Sequence, residues 1–257
     1  MKKKFKEISH QSENQTNYFG VQELLDSEVG LPGYNSELVN LLAQEFDLEK
    51  AMLEGEVTIF EFGAGTGTLA EIWRVKYSIK PICIEIDSIL IEILKSKDFD
   101  TFNNLDQVNS KINYIYTSNV LEHIEDDVSA LTQIRAKMEE NGIIAIYVPA
   151  LPILFSDLDR SVGHYRRYSK KDLLHKISLA GFEVRDCYYN DCLGVIASLV
   201  VKIFGYKKQT RLGSKGSLLL YDKYVYPISK ILDRYLFKFV IGKNILLVAT
   251  NPDSHRK

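Results

Sequence analysis

The feature that most constrains the fold is a run of alternating glycines at Gly63, Gly65 and Gly67. The β-branched and apolar residues 57–60 before it predict a buried strand, and residues 69–75 after it predict a helix. A strand that passes through a glycine-rich turn into a helix N-terminus forms a concavity lined with backbone N–H groups. Glycine suits this turn because a ligand must approach the backbone closely and because a Cβ disfavours the φ values required. The stretch therefore predicts a ligand-binding turn.

The spacing of these glycines separates them from two common nucleotide-binding motifs. Glu61 precedes them, so the motif reads Glu-x-Gly-x-Gly-x-Gly. A dinucleotide fingerprint is instead G-x-G-x-x-G, which disfavours a dinucleotide-dependent oxidoreductase. No Gly-Lys-Ser/Thr follows, which excludes a phosphate-cradling P-loop.

Residues 81–87 predict a second strand that ends in acids. Glu85 lies 24 residues after Glu61, close to the offset at which doubly wound folds place an acid for ribose hydroxyls. A carboxylate can accept both hydroxyl protons of a ribose. The alternative role is a helix N-cap, which Asp87 fits better because it precedes an apolar helical pattern.

Further strands are predicted at residues 112–117, 142–150, 182–189 and 244–250, with helices between them. The fully apolar fifth strand is typical of a parallel sheet that is covered on both faces. The helix after the fourth strand is expected to end at Asn141-Gly142, and an earlier helix to begin at Asn35-Ser36.

Residues 156–168 form a loop beyond the carboxyl end of the fifth strand, where ligands bind in open α/β sheets. The loop combines two acids, one histidine, three arginines and two tyrosines. A solvated connector is the alternative, but connectors rarely combine so many hydrogen-bond donors with aromatic rings. We therefore expect this loop to bind substrate.

Three motifs resemble those of known enzymes. The glycine motif resembles motif I of the class I S-adenosylmethionine (SAM) dependent methyltransferases, and Asn-Val-Leu-Glu-His-Ile at 119–124 resembles the fourth-strand motif of a large group of them. Asp-x-x-x-Gly-His-Tyr-Arg-Arg-Tyr at 159–168 resembles a bacterial group often associated with cell-surface glycan gene products. Asn113 departs from the Asp that many relatives carry. The resemblance covers about residues 55–250 and implies an α/β, doubly wound, Rossmann-like sheet of seven strands, mostly parallel with an antiparallel last strand, and helices on both faces.

The resemblance also implies an enzyme that binds SAM and releases S-adenosylhomocysteine. The resemblance implies an adenine-facing acid near residues 98–109, which are polar and poorly patterned, and Asp100 is the candidate. The implied cofactor-binding residues are Glu61, Gly63, Ala64, Gly65, Gly67, Glu85, Ile86, Asp100, Asn119 and Val120.

An acceptor hydroxyl or amine needs a base to take its proton. His164 is the first candidate because it lies in the substrate-facing loop, and His123 is the second, with packing or capping as its alternative roles. Arg166 or Arg167 would clamp an anionic acceptor. No metal is predicted, because a metal site needs ligands that converge from several elements. The expected substrate-binding residues are Asp159, Tyr165, Arg166, Arg167, Tyr168 and Asn190.

The chain is expected to have a tail and pre-core helices over 1–54, and a methyltransferase domain over 55–257 with a helical cap insertion at about 191–242. A net charge of −2 gives no reason to expect a nucleic-acid partner. Three cysteines without C-x-x-C spacing indicate reduced thiols and a cytoplasmic protein. Residues 193–204 are apolar but too short to span a bilayer. They predict a cap helix or an interfacial helix at the inner face of the membrane, followed by the basic linker 207–211.

The function expected from these observations is methyl transfer from SAM to a small-molecule or glycan acceptor, at oxygen. One alternative is a lipid-linked or quinone-like acceptor at the membrane surface. Another is a non-catalytic SAM-binding protein, which the intact acidic and glycine positions disfavour. The acceptor and the oligomeric state stay open.

Overall fold

The computed structural model describes residues 30–204 and 215–253 of the 257-residue chain. The expectations for the tail, for residues 18–29 and for the basic linker 207–211 concern residues outside these ranges. In chain order the elements are α1 (Pro32–Glu45), α2 (Leu48–Glu54), β1 (Ile59–Phe62), α3 (Thr68–Tyr77), β2 (Ile82–Ile84), α4 (Ser88–Ser96), β3 (Thr101–Phe102), β4 (Ile112–Ser118), α5 (Asp127–Lys137), β5 (Met138–Pro149), α6 (Asp157–Ser161), α7 (Lys170–Leu179), β6 (Glu183–Asn190), α8 (Gly194–Phe204), α9 (Lys215–Leu220), α10 (Tyr226–Leu232) and β7 (Asn244–Thr250).

The strands form one seven-stranded sheet in the order β3-β2-β1-β4-β5-β7-β6, and β7 runs antiparallel to both of its neighbours. The predicted fold is therefore confirmed. The chain moves outward from β1 to β3 and then returns to β4, which pairs with β1 on its other side. Ligands of open α/β sheets bind in the crevice at such a switch point, beyond the carboxyl ends of the strands.

Alternate residues of the strands face two apolar layers. Ile59 and Tyr116 pack with residues of α1 and α3, while Phe60 and Ile115 pack with residues of α5 and α7. Trp73 of α3 is fully buried in the first layer. Full burial of one large apolar side chain contributes about 1.5–3 kcal/mol to the free energy of unfolding, so the packing in both layers stabilises the sheet.

Two predicted helix boundaries are wrong. Helix α1 begins at Pro32, whose fixed φ and missing N–H suit a first turn, and not at Asn35-Ser36. Helix α5 ends at Lys137, and β5 starts at Met138. The reason is tertiary: Met138 pairs with Ile112 at the start of β4, which extends the strand past the local stop signal.

Helices α8, α9 and α10 lie between β6 and β7, with π-helical turns at Tyr221–Val225 and Asp233–Phe237. In residues 30–204 and 215–253, none of the helices combines the length and apolar character that a membrane span requires.

Candidate active site

The glycine turn lies at the carboxyl end of β1 with all three glycines in the left-handed region, at φ of 76° for Gly63, 56° for Gly65 and 79° for Gly67. The amides of Gly63 and Ala64 both donate to the carbonyl of Ile84 in β2. A Cβ added to Gly63 would lie 2.3 Å from Val120 Cγ2. Glycine is therefore required here both by conformation and by space, and the turn directly contacts the segment that follows β4.

Glu85 follows β2 and is held by backbone amides. Its Oε2 accepts from the amide of Gly65 at 2.8 Å, and its Oε1 accepts from those of Ile86 and Asp87 at 2.9 and 3.0 Å. These bonds fix a buried carboxylate against the glycine turn. The neighbouring Ile86 side chain is exposed at the same edge and offers an apolar surface.

Glu61, at the end of β1, is buried, and its Oε2 has no hydrogen-bond partner in the described part of the chain. Burial, reinforced by the charge of Glu85, raises the pKa of Glu61 to about 8. A buried carboxylate oxygen without a partner is costly. A cationic or hydrogen-bonding ligand group beside the turn would remove that cost.

Asn119 and Asp100 differ in where the structure places them. Asn119 follows β4 at the glycine edge, in the left-handed region at φ 53°. Asp100 precedes β3 and is level with Ile82, three residues before Glu85. The sheet is parallel here, so Asp100 lies about 10 Å back along the strands, towards the amino edge. The structure therefore does not bring Asp100 to the cofactor edge. Asn103, which the sequence analysis missed, is level with Glu85.

A second cluster lies beyond β4 and β5 and is built from side chains. His164 Nδ1 lies 2.9 Å from Asp159 Oδ1, and Arg167 Nε donates to the same oxygen at 2.7 Å. Ser156 donates its amide and hydroxyl to Asp159 Oδ2. Burial would raise the pKa of Asp159, but the hydrogen bonds from His164 and Arg167 hold it well below its usual range. An ionised Asp159 favours the proton on Nδ1 and leaves the lone pair on His164 Nε2.

Glu122 and His123 from the segment after β4 meet this loop. The His123 and His164 rings pack edge to face with centroids 4.6 Å apart, and Glu122 Oε1 lies 3.9 Å from His164 Nε2. Glu122 is fully buried, and neither carboxylate oxygen has a partner among the described residues. Burial raises the pKa of Glu122 to about 8 and lowers that of His123 to about 4. At neutral pH Glu122 and His123 are therefore largely uncharged, and the charged group in contact with His164 is Asp159.

Glu122, His123 and His164 each offer one ligand atom within 4.8 Å of the others, so this set could hold a metal ion. The charge of Arg167 acts on both Glu122 and Asp159 and would repel a divalent cation there. The absence of a metal stays a prediction.

Arg166 and Tyr168 do not point to an acceptor. Both donate to Asp127 Oδ2 at 2.7 Å, and Lys176 donates to Asp127 Oδ1 at 2.8 Å. Arg166 also donates to the backbone carbonyl of Ile124. Burial would raise the pKa of Asp127, but the bonds from Lys176, Tyr168 and Arg166 lower it. These residues join the loop to α5 and α7, which gives Arg166 a structural role in place of the expected acceptor clamp.

The remaining predicted substrate residues divide in the same way. Asn190 Oδ1 accepts from the buried Tyr147 hydroxyl at 2.8 Å, so it is engaged in the protein interior. Arg167 is nearly buried, but its Nη1 has no partner among the described residues. Tyr165 is exposed. Arg167, Tyr165 and His164 therefore retain groups that an acceptor could contact.

Lys243 is a residue that the sequence analysis missed. It lies just before β7, and its backbone carbonyl accepts from the amide of Ala150 at 2.8 Å. Burial lowers its pKa, although Asp191 acts in the opposite direction, and the charges of Arg167 and Asp159 also reach it. The antiparallel last strand begins at the same edge where the parallel strands end, which is the signal that could have identified Lys243.

The comparisons with known proteins agree with this architecture. Residues 30–186, more than half of the chain, match the family model of a methyltransferase domain, and the chain therefore belongs to this methyltransferase family. Its fold is that of the class I SAM-dependent enzymes. The match includes α1 and α2, which lie before the domain boundary expected at residue 55.

Three solved structures illustrate the likeness. A Galdieria sulphuraria protein assigned as a sarcosine dimethylglycine methyltransferase has a TM-score of 0.53 and 12% identity over 84% of this chain and 86% of that one. The [4+2]-cyclase SpnF has a TM-score of 0.52 and 15% identity over 84% of this chain and 81% of that one. A Bacillus halodurans protein assigned as a methyltransferase has a TM-score of 0.50 and 14% identity over 82% of this chain and 99% of that one. Identities this low show the fold alone. Among curated protein sequences, none matches this chain.

The chain is thus a methyltransferase enzyme, and SAM is its cofactor. The residues at the glycine edge fit this group. The turn excludes a Cβ at Gly63, Glu85 presents a fixed carboxylate, and Glu61 holds a buried oxygen without a partner. SAM supplies an electrophilic methyl group on a positively charged sulfur.

Proposed function

We propose that the enzyme transfers the methyl group to a hydroxyl oxygen of a small-molecule or glycan acceptor, with His164 as the general base. The observation that carries this proposal is the bond from His164 Nδ1 to the buried Asp159. The pair lies beyond β4, next to the segment whose Val120 contacts Gly63. A histidine oriented by a carboxylate is an arrangement suited to proton removal.

Cofactor binding is assigned to the carboxyl edge of β1, β2 and β4. Glu85 would accept from the ribose: its two oxygens offer about four lone-pair sites, and its three amide bonds leave one of them for a ribose hydroxyl. Ile86 would cover the adenine, with Asn103 at its edge in place of Asp100. Glu61, Asn119 and the left-handed glycines would contact the methionine half.

The chemical step needs only positioning and one proton transfer. His164 Nε2 would take the proton of the acceptor hydroxyl as its oxygen accepts the methyl group that SAM would supply, with S-adenosylhomocysteine as the leaving group. The products are a methyl ether and S-adenosylhomocysteine. Protein groups must hold the acceptor oxygen in line with the methyl and exclude water, which can contribute several orders of magnitude to rate.

The acceptor is proposed to carry an anionic or hydroxyl-rich group. Arg167 Nη1 is a buried donor that lacks a hydrogen-bond partner among the described residues, and Lys243 is a second cation under the influence of the same Asp159. Tyr165 adds an exposed ring. A sugar or a small acid presents the oxygen acceptors that Arg167 and Lys243 require and an apolar face that stacks on Tyr165.

The test compares His164→Ala with His175→Ala, a matched variant at an exposed histidine of α7. Isothermal titration with SAM and S-adenosylhomocysteine should give unchanged affinities for both variants. In an acceptor screen, His164→Ala should lose about 10²–10⁴-fold in turnover while His175→Ala keeps wild-type turnover. Undiminished turnover of His164→Ala with intact SAM binding would remove His164 from the chemistry.

A lipid-linked acceptor is the second candidate function. It is favoured by the exposed apolar side chains on the helices between β6 and β7. The same proposal includes a structural part: the helices at about 191–242 form a cap on the methyltransferase domain, as the sequence analysis expects.

A further inference from the structure

The helical segment that runs from Lys215 in α9 through α10 to Phe237, together with the turn at 238–240, carries an apolar stripe that nothing in the described structure covers. Its members are between 55% and 73% exposed and recur at spacings of three or four residues, so they share one face. The opposite face is buried through Tyr226, Ser229 and Asp233. The exposed members, called here the outer stripe, are Tyr224, Ile228, Ile231, Tyr235 and Phe239.

The charges of this segment are segregated. Asp222 accepts from the amides of Gly33 and Tyr34, and Asp233 accepts from those of Asp191 and Cys192, so both acids point into the protein. The basic residues Lys223, Lys230, Arg234 and Lys238 each come immediately before or after a residue of the outer stripe. Lys230 pairs with Glu37 at 3.0 Å and Lys238 with Asp186 at 3.7 Å, so the exposed basic border of the stripe consists of Lys223 and Arg234.

Cations and aromatic rings are also paired along the stripe. Lys223 lies over the Tyr224 ring at 5.2 Å, and Arg234 lies over the Tyr235 ring at 5.7 Å. Basic side chains beside tyrosine and phenylalanine are typical of helices that lie at a membrane–water interface.

A second exposed apolar surface lies near the substrate loop. Helix α8 exposes Ile196, Leu199 and Ile203 at helical spacing. Its Lys202 donates to the backbone carbonyl of Ile153, whose own side chain is exposed. Ile153 lies shortly before the loop that carries His164, so the surface of α8 reaches the acceptor side of the site.

We propose that the outer stripe docks the enzyme on the surface of a bilayer that contains anionic lipid. The apolar members insert at the level of the headgroups, and Lys223 and Arg234 contact the lipid phosphates. The contiguous exposed apolar side chains and the basic border both match the composition of this partner. The inference concerns binding to lipid and does not depend on which atom is methylated.

A second copy of the chain fits the stripe less well. In a two-fold dimer the same patch meets itself, which would bring the basic borders of the two copies together. Their repulsion would have to be overcome by the apolar contact. An anionic lipid surface would instead attract the basic residues and also accept the exposed apolar side chains.

The test is sedimentation with vesicles of phosphatidylcholine containing roughly 30% phosphatidylglycerol, beside vesicles of phosphatidylcholine alone. The full chain should partition to the anionic vesicles at least about tenfold more strongly, and roughly 0.5 M salt should weaken this. Ile228→Ser with Tyr235→Ser should lower partitioning about tenfold or more. Lys223→Glu with Arg234→Glu should do the same without removing apolar surface.

The matched control is Leu53→Ser with Val75→Ser, which removes two apolar side chains that are 89% and 76% exposed on α2 and α3. It should leave partitioning unchanged. SAM titration of every variant keeps a loss of fold separate from a loss of docking. Absence of wild-type binding to anionic vesicles, an equal loss in the control, or a dimer in light scattering that the stripe variants abolish would each overturn the proposal.

Discussion

The cofactor edge and the acceptor cluster lie next to each other but are built in different ways. The cofactor edge consists of backbone: three left-handed glycines, and a carboxylate that accepts from three amides. The acceptor cluster consists of side chains from separate elements, joined by Asp127 and Asp159. A backbone-built site is encoded in one short motif, whereas a side-chain-built site depends on the whole fold.

This difference predicts where damage from mutation will appear. Changes at the cofactor edge should act on ligand affinity, because the strand and turn carry the ligand directly. Changes at the carboxylates of the acceptor cluster should act on stability as well as turnover, because the same side chains also tie the loop to α5 and α7.

The largest expected effect is that of Glu85→Ala on SAM affinity. The variant loses the acceptor for a ribose hydroxyl and the bond that holds the Gly65 amide in the glycine turn, and hydrogen bonds to a charged group contribute about 1.5–3 kcal/mol each, so affinity should fall about 10²–10⁴-fold. Isothermal titration measures this, and Glu92→Ala on the exposed face of α4 is the matched control. Retained affinity in a folded Glu85→Ala protein would remove Glu85 from the cofactor site.

Asp127→Asn should act on stability instead. Arg166, Tyr168 and Lys176 would lose the charge that they share, and breaking a buried ion pair costs about 3–5 kcal/mol when a charge is left uncompensated. Urea unfolding should show this loss, while the folded variant keeps its SAM affinity. Asp126→Asn, at the neighbouring N-cap of α5, should change stability much less.

A pH dependence follows from the same bonds. The pKa of Asp127 is lowered in the folded state, so its stabilisation is present at neutral pH and is lost as the pH falls through the folded value. Wild-type stability should therefore decrease in acid more steeply than that of Asp127→Asn. Equal acid profiles would contradict the assigned role of Asp127.

The positions of the glycine turn and of Glu85 in the fold could be predicted because their determinants are local, while their role towards the cofactor stays a proposal. The strand, the glycines and Glu85 follow from spacing alone. Asp100 fails because β3 has only two residues, too few for a pattern to show where the strand ends. The role of Arg166 could not be predicted either, since its partner Asp127 lies 39 residues away. The sequence shows which polar side chains the loop carries. It does not show which of them form hydrogen bonds within the protein and are therefore not available to a substrate.

The smallest expected effect is on the pH dependence of stability near neutrality. It allows the two regions to be compared directly. Each region contains one buried carboxyl with a pKa raised by burial to about 8, Glu61 at the cofactor edge and Glu122 in the acceptor cluster. The folded state holds these protons, while the unfolded state, in which the carboxyl pKa is near its ordinary value of 4.5, has released them. Stability should therefore fall as the pH rises towards about 8, by at most about 1.4 kcal/mol per pH unit for each group.

Glu122→Gln and Glu61→Gln should each flatten this fall between about pH 6 and about pH 8, as measured by urea unfolding at several pH values. Saturating SAM should distinguish them. A bound cation beside Glu61 favours its ionised form, so the cofactor should flatten the remaining slope of Glu122→Gln but not that of Glu61→Gln. The same response to SAM in both variants would mean that the cofactor reaches both carboxyls. The division between a cofactor edge and an acceptor cluster would then be wrong.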